Sequence, residues 1–280
     1  MSVYDPERLA TSLQDFRDSL PRSAHSYVDA AVSAIETPRR PGLAGPSSPA
    51  NLSLEEIAAC IDHTQLRPAA TDAQIDRLCE EAVEYGFGAA CVHPVFVARV
   101  ADALEDTDVT PCSVVGFPHG ANRAVTKAQE AERAVSDGAR EVDMVLSLGA
   151  VTSGRLADAE ADVRAVVTAV RNAEEGVEAS VLVKVILETA LLSPAQTAVS
   201  CVIARRAGAD FVKTSTGFAS TGARAKDVAL MRQIVGDALG VKASGGVGSV
   251  EAVERMVRHG ARRIGASGSV AIMEEARALA

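Results

Sequence analysis

The sequence predicts an α/β fold, a (β/α)8 TIM barrel with an N-terminal helical extension, and three observations carry that expectation. From residue 52 onward, short apolar runs alternate with amphipathic helical patterns at nearly constant spacing. Strict alternation implies a parallel sheet, and eight units over about 230 residues match the usual size of a closed barrel. Polar residues also gather at or near the carboxyl ends of the runs, where a barrel carries its chemistry.

The runs read as strands in the order IAACIDHTQL (57–66), AACVHP (89–94), TPCSVVGF (110–117), REVDMVL (140–146), VLVKVIL (181–187), DFVKTST (210–216), VKASGG (241–246) and RRIGAS (262–267). Between them, Asp72–Tyr85 sets Ile75, Leu78, Ala82 and Tyr85 on one helical stripe behind Thr71 as cap, and 156–172 is a helix rich in valine and alanine. An open doubly wound sheet is the alternative. Its dinucleotide-binding form wants a glycine-rich turn after the first strand, and DHTQLRP (62–68) contains no glycine.

Ahead of the barrel, residues 3–35 read as one or two polar helices, with Leu9, Leu13, Phe16 and Leu20, then Tyr27, Ala31 and Ile35, as their apolar positions. TPRRPGLAGPSSPAN (37–51) reads as a linker. The expected division is an extension with its linker over 1–51 and the barrel over 52–280.

Composition narrows the function classes. The chain has 280 residues, 48% of them apolar, and a formal net charge of -9, which argues against nucleic acid or an anionic membrane as partner. No apolar stretch approaches the roughly 20 residues needed to cross a bilayer. The opening MSVYDPERLA has no signal pattern, so a soluble, cytoplasmic protein is expected. The five cysteines are scattered and never spaced Cys-x-x-Cys, which speaks against a disulfide framework or structural zinc. Cys91 and His93 have no accompanying ligand set, and neither His63 nor His119 supplies one, so no metal is expected.

The lysines are the strongest chemical signal. Only five of the 28 basic residues are lysine, and Lys184, Lys213 and Lys242 sit inside predicted strands. Arginine is not deprotonated in proteins, whereas a buried lysine that loses its proton attacks a carbonyl, so the pattern points to Schiff-base chemistry. A free lysine is neutral in only roughly 1 of 2,500 molecules at pH 7. Burial and a second ammonium correct that, and Lys242 on the next strand is the natural neighbour of Lys213. An ion-paired interior lysine without chemistry is the other reading of Lys213.

In EVDMVL, Asp143 shares a face with Glu141 and Val145. It is either a proton shuttle or a passive counter-ion to Lys184 or Lys242, and spacing leaves both open. Lys184 reads as the ion-pair partner of Asp143. SGGVGS (244–249) and GASGS (265–269) end strands seven and eight, where barrels hold phosphate on backbone amides.

Taken together, EVDMVL, LVKVILET, DFVKTSTGF, VKASGGV and RIGAS resemble the deoxyribose-phosphate aldolases, class I aldolases on a (β/α)8 barrel, over about Asp62 to Ser269. The resemblance implies reversible cleavage of 2-deoxy-D-ribose 5-phosphate to D-glyceraldehyde 3-phosphate and acetaldehyde, without metal or organic cofactor. It implies Lys213 as the Schiff-base lysine, Lys242 as the lysine that lowers its pKa and relays protons, and Asp143 as proton donor and acceptor. Lys184, Thr64 and Cys91 would line the pocket, and Thr216, Gly217, Gly245, Gly246, Gly265 and Ser267 would face the phosphate. The expected partner is a small phosphosugar, with the chain in a homo-oligomer, dimer or tetramer.

The chain departs from that family's pattern in three places. Gly248 stands where an arginine is usual in GGVR, Gly268 follows Ser267 where some members have a second serine, and the last helix is not followed by a tail with a tyrosine. Two further readings compete: another Schiff-base aldolase or transaldolase on a different phosphosugar, and a catalytically silent phosphosugar-binding barrel.

Overall fold

The computed structural model describes residues 5–36, 52–174 and 180–280. The eight strands are β1 Ile61–Gln65, β2 Ala89–Val92, β3 Thr110–Val115, β4 Glu141–Val145, β5 Leu182–Ile186, β6 Phe211–Lys213, β7 Gly240–Ser244 and β8 Arg263–Ala266. Each pairs in parallel with the next, and β8 closes on β1, so the predicted barrel is the observed one.

Two helices precede the barrel region, α1 Pro6–Asp18 and α2 His25–Glu36, and α3 Leu54–Cys60 leads into β1. Around the barrel follow α4 Asp72–Tyr85, α5 Val97–Ala103, α6 Ala124–Ser136, α7 Leu148–Thr152, α8 Leu156–Ala173 and α9 Pro194–Ala207. The ring ends with α10 Ala225–Val235, α11 Val250–Arg258 and α12 Ser269–Leu279.

One strand prediction is corrected at its start. Ile57–Cys60 is helical, because Ser53 and Glu56 close a capping box that nucleates α3, and β1 begins only at Ile61. The predicted linker over 37–51 lies outside the described residues. The helices before it lie against the barrel: α1 and α2 contact α9, and α2 contacts α10, with Leu13, Val28 and Ala31 fully buried. The covered helix fits that arrangement, since α9 buries residues around most of its circumference, as a helix with neighbours on several sides does. Arg206 fastens the contact, donating to the Ser26 carbonyl at 2.9 Å with its guanidinium 4.4 Å from the Tyr27 ring centre.

Strand alternation sorts the core into two layers. Val142, Met144, Val183, Val185, Val212, Val241 and Ala243 point outward into the shell between strands and helices. The inward apolar cluster is small, comprising Leu66, Ala89, Cys91, Cys112 and Val114, with Val145 and Ile186 also buried on the inward face, and beside them the barrel interior carries a group of charged side chains.

A fourth buried lysine lies outside that interior. Lys127 on α6 donates to Asp162 Oδ2 of α8 at 2.7 Å and to the Val145 carbonyl at 2.8 Å, tying two helices to the end of β4. Burial pushes Lys127 below the ordinary lysine value, and it pushes the Asp162 carboxyl up, against their mutual attraction. Removing one partner of a buried pair strands the other charge. Asp162→Ala is therefore expected to lower the unfolding free energy by about 3–5 kcal/mol in urea titration; a loss under about 1 kcal/mol, typical of an exposed pair, would contradict this role.

Candidate active site

Register brings the site together. Asp143 on β4 lies opposite Lys184 on β5, and Lys213 on β6 opposite Lys242 on β7, with all four side chains inside the barrel. Lys184 Nζ donates to Asp143 Oδ1 at 2.8 Å, while Lys213 Nζ and Lys242 Nζ each donate to Oδ2 at 2.7 Å. One carboxylate thus gathers three ammoniums. The pairing of Lys184 with Asp143 read from the sequence is present.

Three charged residues that the sequence reading did not assign complete the cluster. Asp62 on β1 is fully buried and pairs with Lys242 and Arg263, and Glu141 contacts Lys184 Nζ at 2.5 Å and Arg263 Nη1 at 2.9 Å. Their signal was the one that flagged the lysines, since Asp62 alternates with Thr64, and Arg263 with Gly265, in short apolar runs. Gly265 has a steric reason: a Cβ there would stand 2.9 Å from Ser244 Cβ and 3.2 Å from Lys242 Cε.

The electrostatics follow from the contacts. Burial works against the ionised form of Asp143, but Lys184, Lys213 and Lys242 outweigh it and hold the carboxyl well below the usual range. For Asp62, burial is likewise outweighed by Lys242, Arg263 and Lys184. Burial opposes charge on Lys242 and Lys184, yet Asp143, with Asp62 for Lys242 and Glu141 for Lys184 adding to it, raises both above the ordinary lysine value. Lys184, Lys242 and Arg263 each touch two or more carboxylates, whereas among the described residues Lys213 touches Asp143 alone.

Above the cluster opens a cleft of about 640 Å3, and Lys213 is the one lysine lining it. Thr64, Thr216, Gly217, Gly245, Gly246, Gly265 and Ser267 also line it, as do Gly248 and Gly268. Among the described residues the only cations on its wall are Lys213 and Arg67, and no carboxylate borders it. The N–H groups of Gly217, Gly246, Val247, Gly248, Ser267 and Gly268 find no hydrogen-bond partner among the described residues. Such donors on consecutive loops form an anion cradle despite the acidic chain, beside the starts of α11 and α12.

Cys91 does not line this cleft. It lies fully buried on β2, paired in register with Cys112 on β3, and a hydrogen bond from Cys112 lowers its pKa against burial. Among the described residues, Cys91, Cys112 and Asp143 are the one group of three or more potential metal ligands whose donor atoms all lie within 4.8 Å of one another. Both Asp143 oxygens are already engaged by ammoniums, whose charge repels a divalent cation there.

Comparison with known proteins agrees with this geometry. The family model for DeoC/LacD family aldolases matches residues 57–273. The chain belongs to that family. This aldolase is 50% identical over 218 residues to the deoxyribose-phosphate aldolase of Geobacillus sp. (strain WCH70), covering 78% of this chain and 95% of the relative. It is equally similar, over 223 residues, to the deoxyribose-phosphate aldolase of Caldanaerobacter subterraneus subsp. tengcongensis. Among solved structures, a putative deoxyribose-phosphate aldolase from Coccidioides immitis superposes with a TM-score of 0.77 at 37% identity, covering 99% of this chain and 100% of the other. The deoxyribose phosphate aldolase from Aeropyrum pernix, described as a unique tetramer, gives 0.74 at 34% identity over 81% of this aldolase and 94% of the other chain. No helix among the described residues is long and apolar enough to cross a membrane.

Proposed function

We propose that this aldolase reversibly cleaves 2-deoxy-D-ribose 5-phosphate to D-glyceraldehyde 3-phosphate and acetaldehyde through an imine on Lys213. The observation that carries the reading is the placement of Lys213, which faces the cleft at 2.7 Å from Asp143 while the same oxygen accepts from Lys242.

The neutral amine of Lys213 adds to C1 of the open-chain aldehyde, and water leaves to give an iminium. That cation draws in the electrons of the C2–C3 bond as the C3 hydroxyl proton passes to a base, releasing D-glyceraldehyde 3-phosphate. The remaining enamine takes a proton at C2, and water hydrolyses the resulting iminium to acetaldehyde and free Lys213. Asp143, held ionised, suits the accepting role and can return the same proton to C2 of the enamine, with Lys242 as the adjacent ammonium that holds the carboxylate in place. The cluster contains four cationic side chains, Lys184, Lys213, Lys242 and Arg263, against three carboxylates, Asp62, Glu141 and Asp143, so shedding one proton balances its charge.

The anion cradle receives the 5-phosphate. Gly248 contributes no side chain to it, and Arg67 is the cation of the rim beyond Lys213. Arg67→Ala is therefore expected to raise KM for the phosphorylated sugar roughly tenfold with kcat nearly unchanged, as loss of uniform binding does. Steady-state kinetics check this, and an unchanged KM would remove Arg67 from the site.

We assign the chemistry to 52–280 and regard 1–51 as an extension, since no described residue before Thr64 lines the cleft. Five free cysteines favour a reducing, cytoplasmic setting. A homo-oligomer, dimer or tetramer, is proposed by analogy with the tetrameric Aeropyrum pernix relative. Donor profiling tests the activity: aldol addition of acetaldehyde to D-glyceraldehyde 3-phosphate is expected, whereas use of dihydroxyacetone phosphate instead would assign a different aldolase.

A further inference from the structure

We infer that Glu188 is a positioning residue for the phosphate end of the site, acting through Thr216; the inference rests on the phosphosugar reading above. Glu188 follows β5 and does not border the cleft, and it is 3% exposed. It is also the one described residue other than glycine with a positive φ, at φ 50° and ψ 62°. A bulky residue held in that region marks a place where the surroundings dictate the backbone.

Its contacts indicate the purpose. One carboxyl oxygen, Oε2, accepts both donors of Thr216, the N–H at 3.2 Å and the hydroxyl in a short bond. The Thr216 hydroxyl oxygen in turn accepts the Phe218 N–H at 3.1 Å, folding the chain over Gly217, whose φ is 89°. Thr216 and Phe218 thus spend their N–H groups inside the turn, leaving Gly217 N–H as its unpartnered donor at the cleft.

The segment carrying Glu188 is fixed against the same strand end. Leu187 N–H donates to the Lys213 carbonyl at 2.8 Å, and Thr189 N–H to the Thr214 carbonyl at 2.9 Å. Thr189 Oγ1 reaches Asp227, which Arg224 also holds. Glu188 therefore ties the end of β5 to the turn that follows Lys213 on β6 and meets the phosphate. Its other oxygen, Oε1, is buried with no hydrogen-bond partner among the described residues, so the carboxyl group is directed at Thr216 alone.

The test compares kcat/KM for 2-deoxyribose 5-phosphate with that for unphosphorylated 2-deoxyribose. In Glu188→Ala the preference for the phosphorylated sugar is expected to fall roughly tenfold or more, chiefly through KM, while borohydride still traps acetaldehyde on Lys213. Glu188→Gln keeps one oxygen where both Thr216 bonds land, and is expected to restore the preference to within about threefold of wild type. Should Glu188→Ala fail to fold, Glu188→Asn suits the left-handed backbone but is too short to reach Thr216, and is expected to lose the preference likewise. An unchanged preference in Glu188→Ala, or in Glu188→Asn when that variant is used, would overturn the inference, as would equal loss with both sugars. A wild-type protein with no preference would overturn the phosphate reading itself.

Discussion

Lys213→Arg is expected to abolish turnover, lowering kcat by at least about 10^4 while leaving the fold intact. Arginine keeps a positive charge near Asp143 and fills similar space, so the Asp143 contact on β6 retains a cationic partner. It cannot supply a neutral primary amine, and without one no iminium forms. Circular dichroism and thermal unfolding check the fold, and a direct assay of acetaldehyde release checks the rate. A folded variant with a near-wild-type rate would rule out the covalent route through Lys213.

Asp143→Asn is expected to damage both activity and stability. The amide loses the charge that gathers Lys184, Lys213 and Lys242, leaving buried ammoniums less compensated. Removing one partner of a buried ion pair costs about 3–5 kcal/mol, and losing a catalytic proton acceptor costs roughly 10^2–10^4 in rate. The stability effect has a defined pH dependence. Asp143 is depressed below its ordinary value of 3.8, so its contribution is complete above that pH and declines as pH falls toward the folded value. Lys184 and Lys242 are raised above 10.5, so theirs is complete below that pH and is lost as pH rises through the folded values. The gap in unfolding free energy between wild type and Asp143→Asn should stay flat at neutral pH and narrow below pH 3.8, as urea titrations across that range would reveal. A gap that widened on acidification would show that the carboxyl is not held ionised by the lysines.

The parts of the fold written in local pattern were legible in the sequence. Each strand run overlaps an observed strand, because burial on both faces of a parallel sheet leaves short apolar runs in which an inward lysine or aspartate stands out. Alternation also anticipated the placement of Lys213 beside Lys242. Ile57–Cys60 was misread because a short apolar run suits helix or strand, although Ser53 and Glu56 carried the helix signal. Arg263 escaped notice near the start of its run, where polar residues look like solvated flanks, and Asp62 because it opens the polar stretch DHTQ within a run read from residue 57.

Other features depended on tertiary structure. The Lys127 pair joins residues 35 positions apart on different helices, and no spacing rule links them. Glu188 is set by a left-handed backbone that its residue type does not announce, and its contact with Thr216 exists only once β5 and β6 lie side by side.

The most direct measurement is borohydride trapping. The protein is incubated with 2-deoxyribose 5-phosphate or acetaldehyde, reduced, digested and mapped by peptide mass spectrometry. The expected result is a two-carbon adduct on Lys213, absent from Lys184 and Lys242, whose ammoniums are each held by more than one carboxylate. No adduct on any lysine in the folded, ligand-exposed protein would contradict the Schiff-base account and favour a barrel that binds phosphosugars without cleaving them.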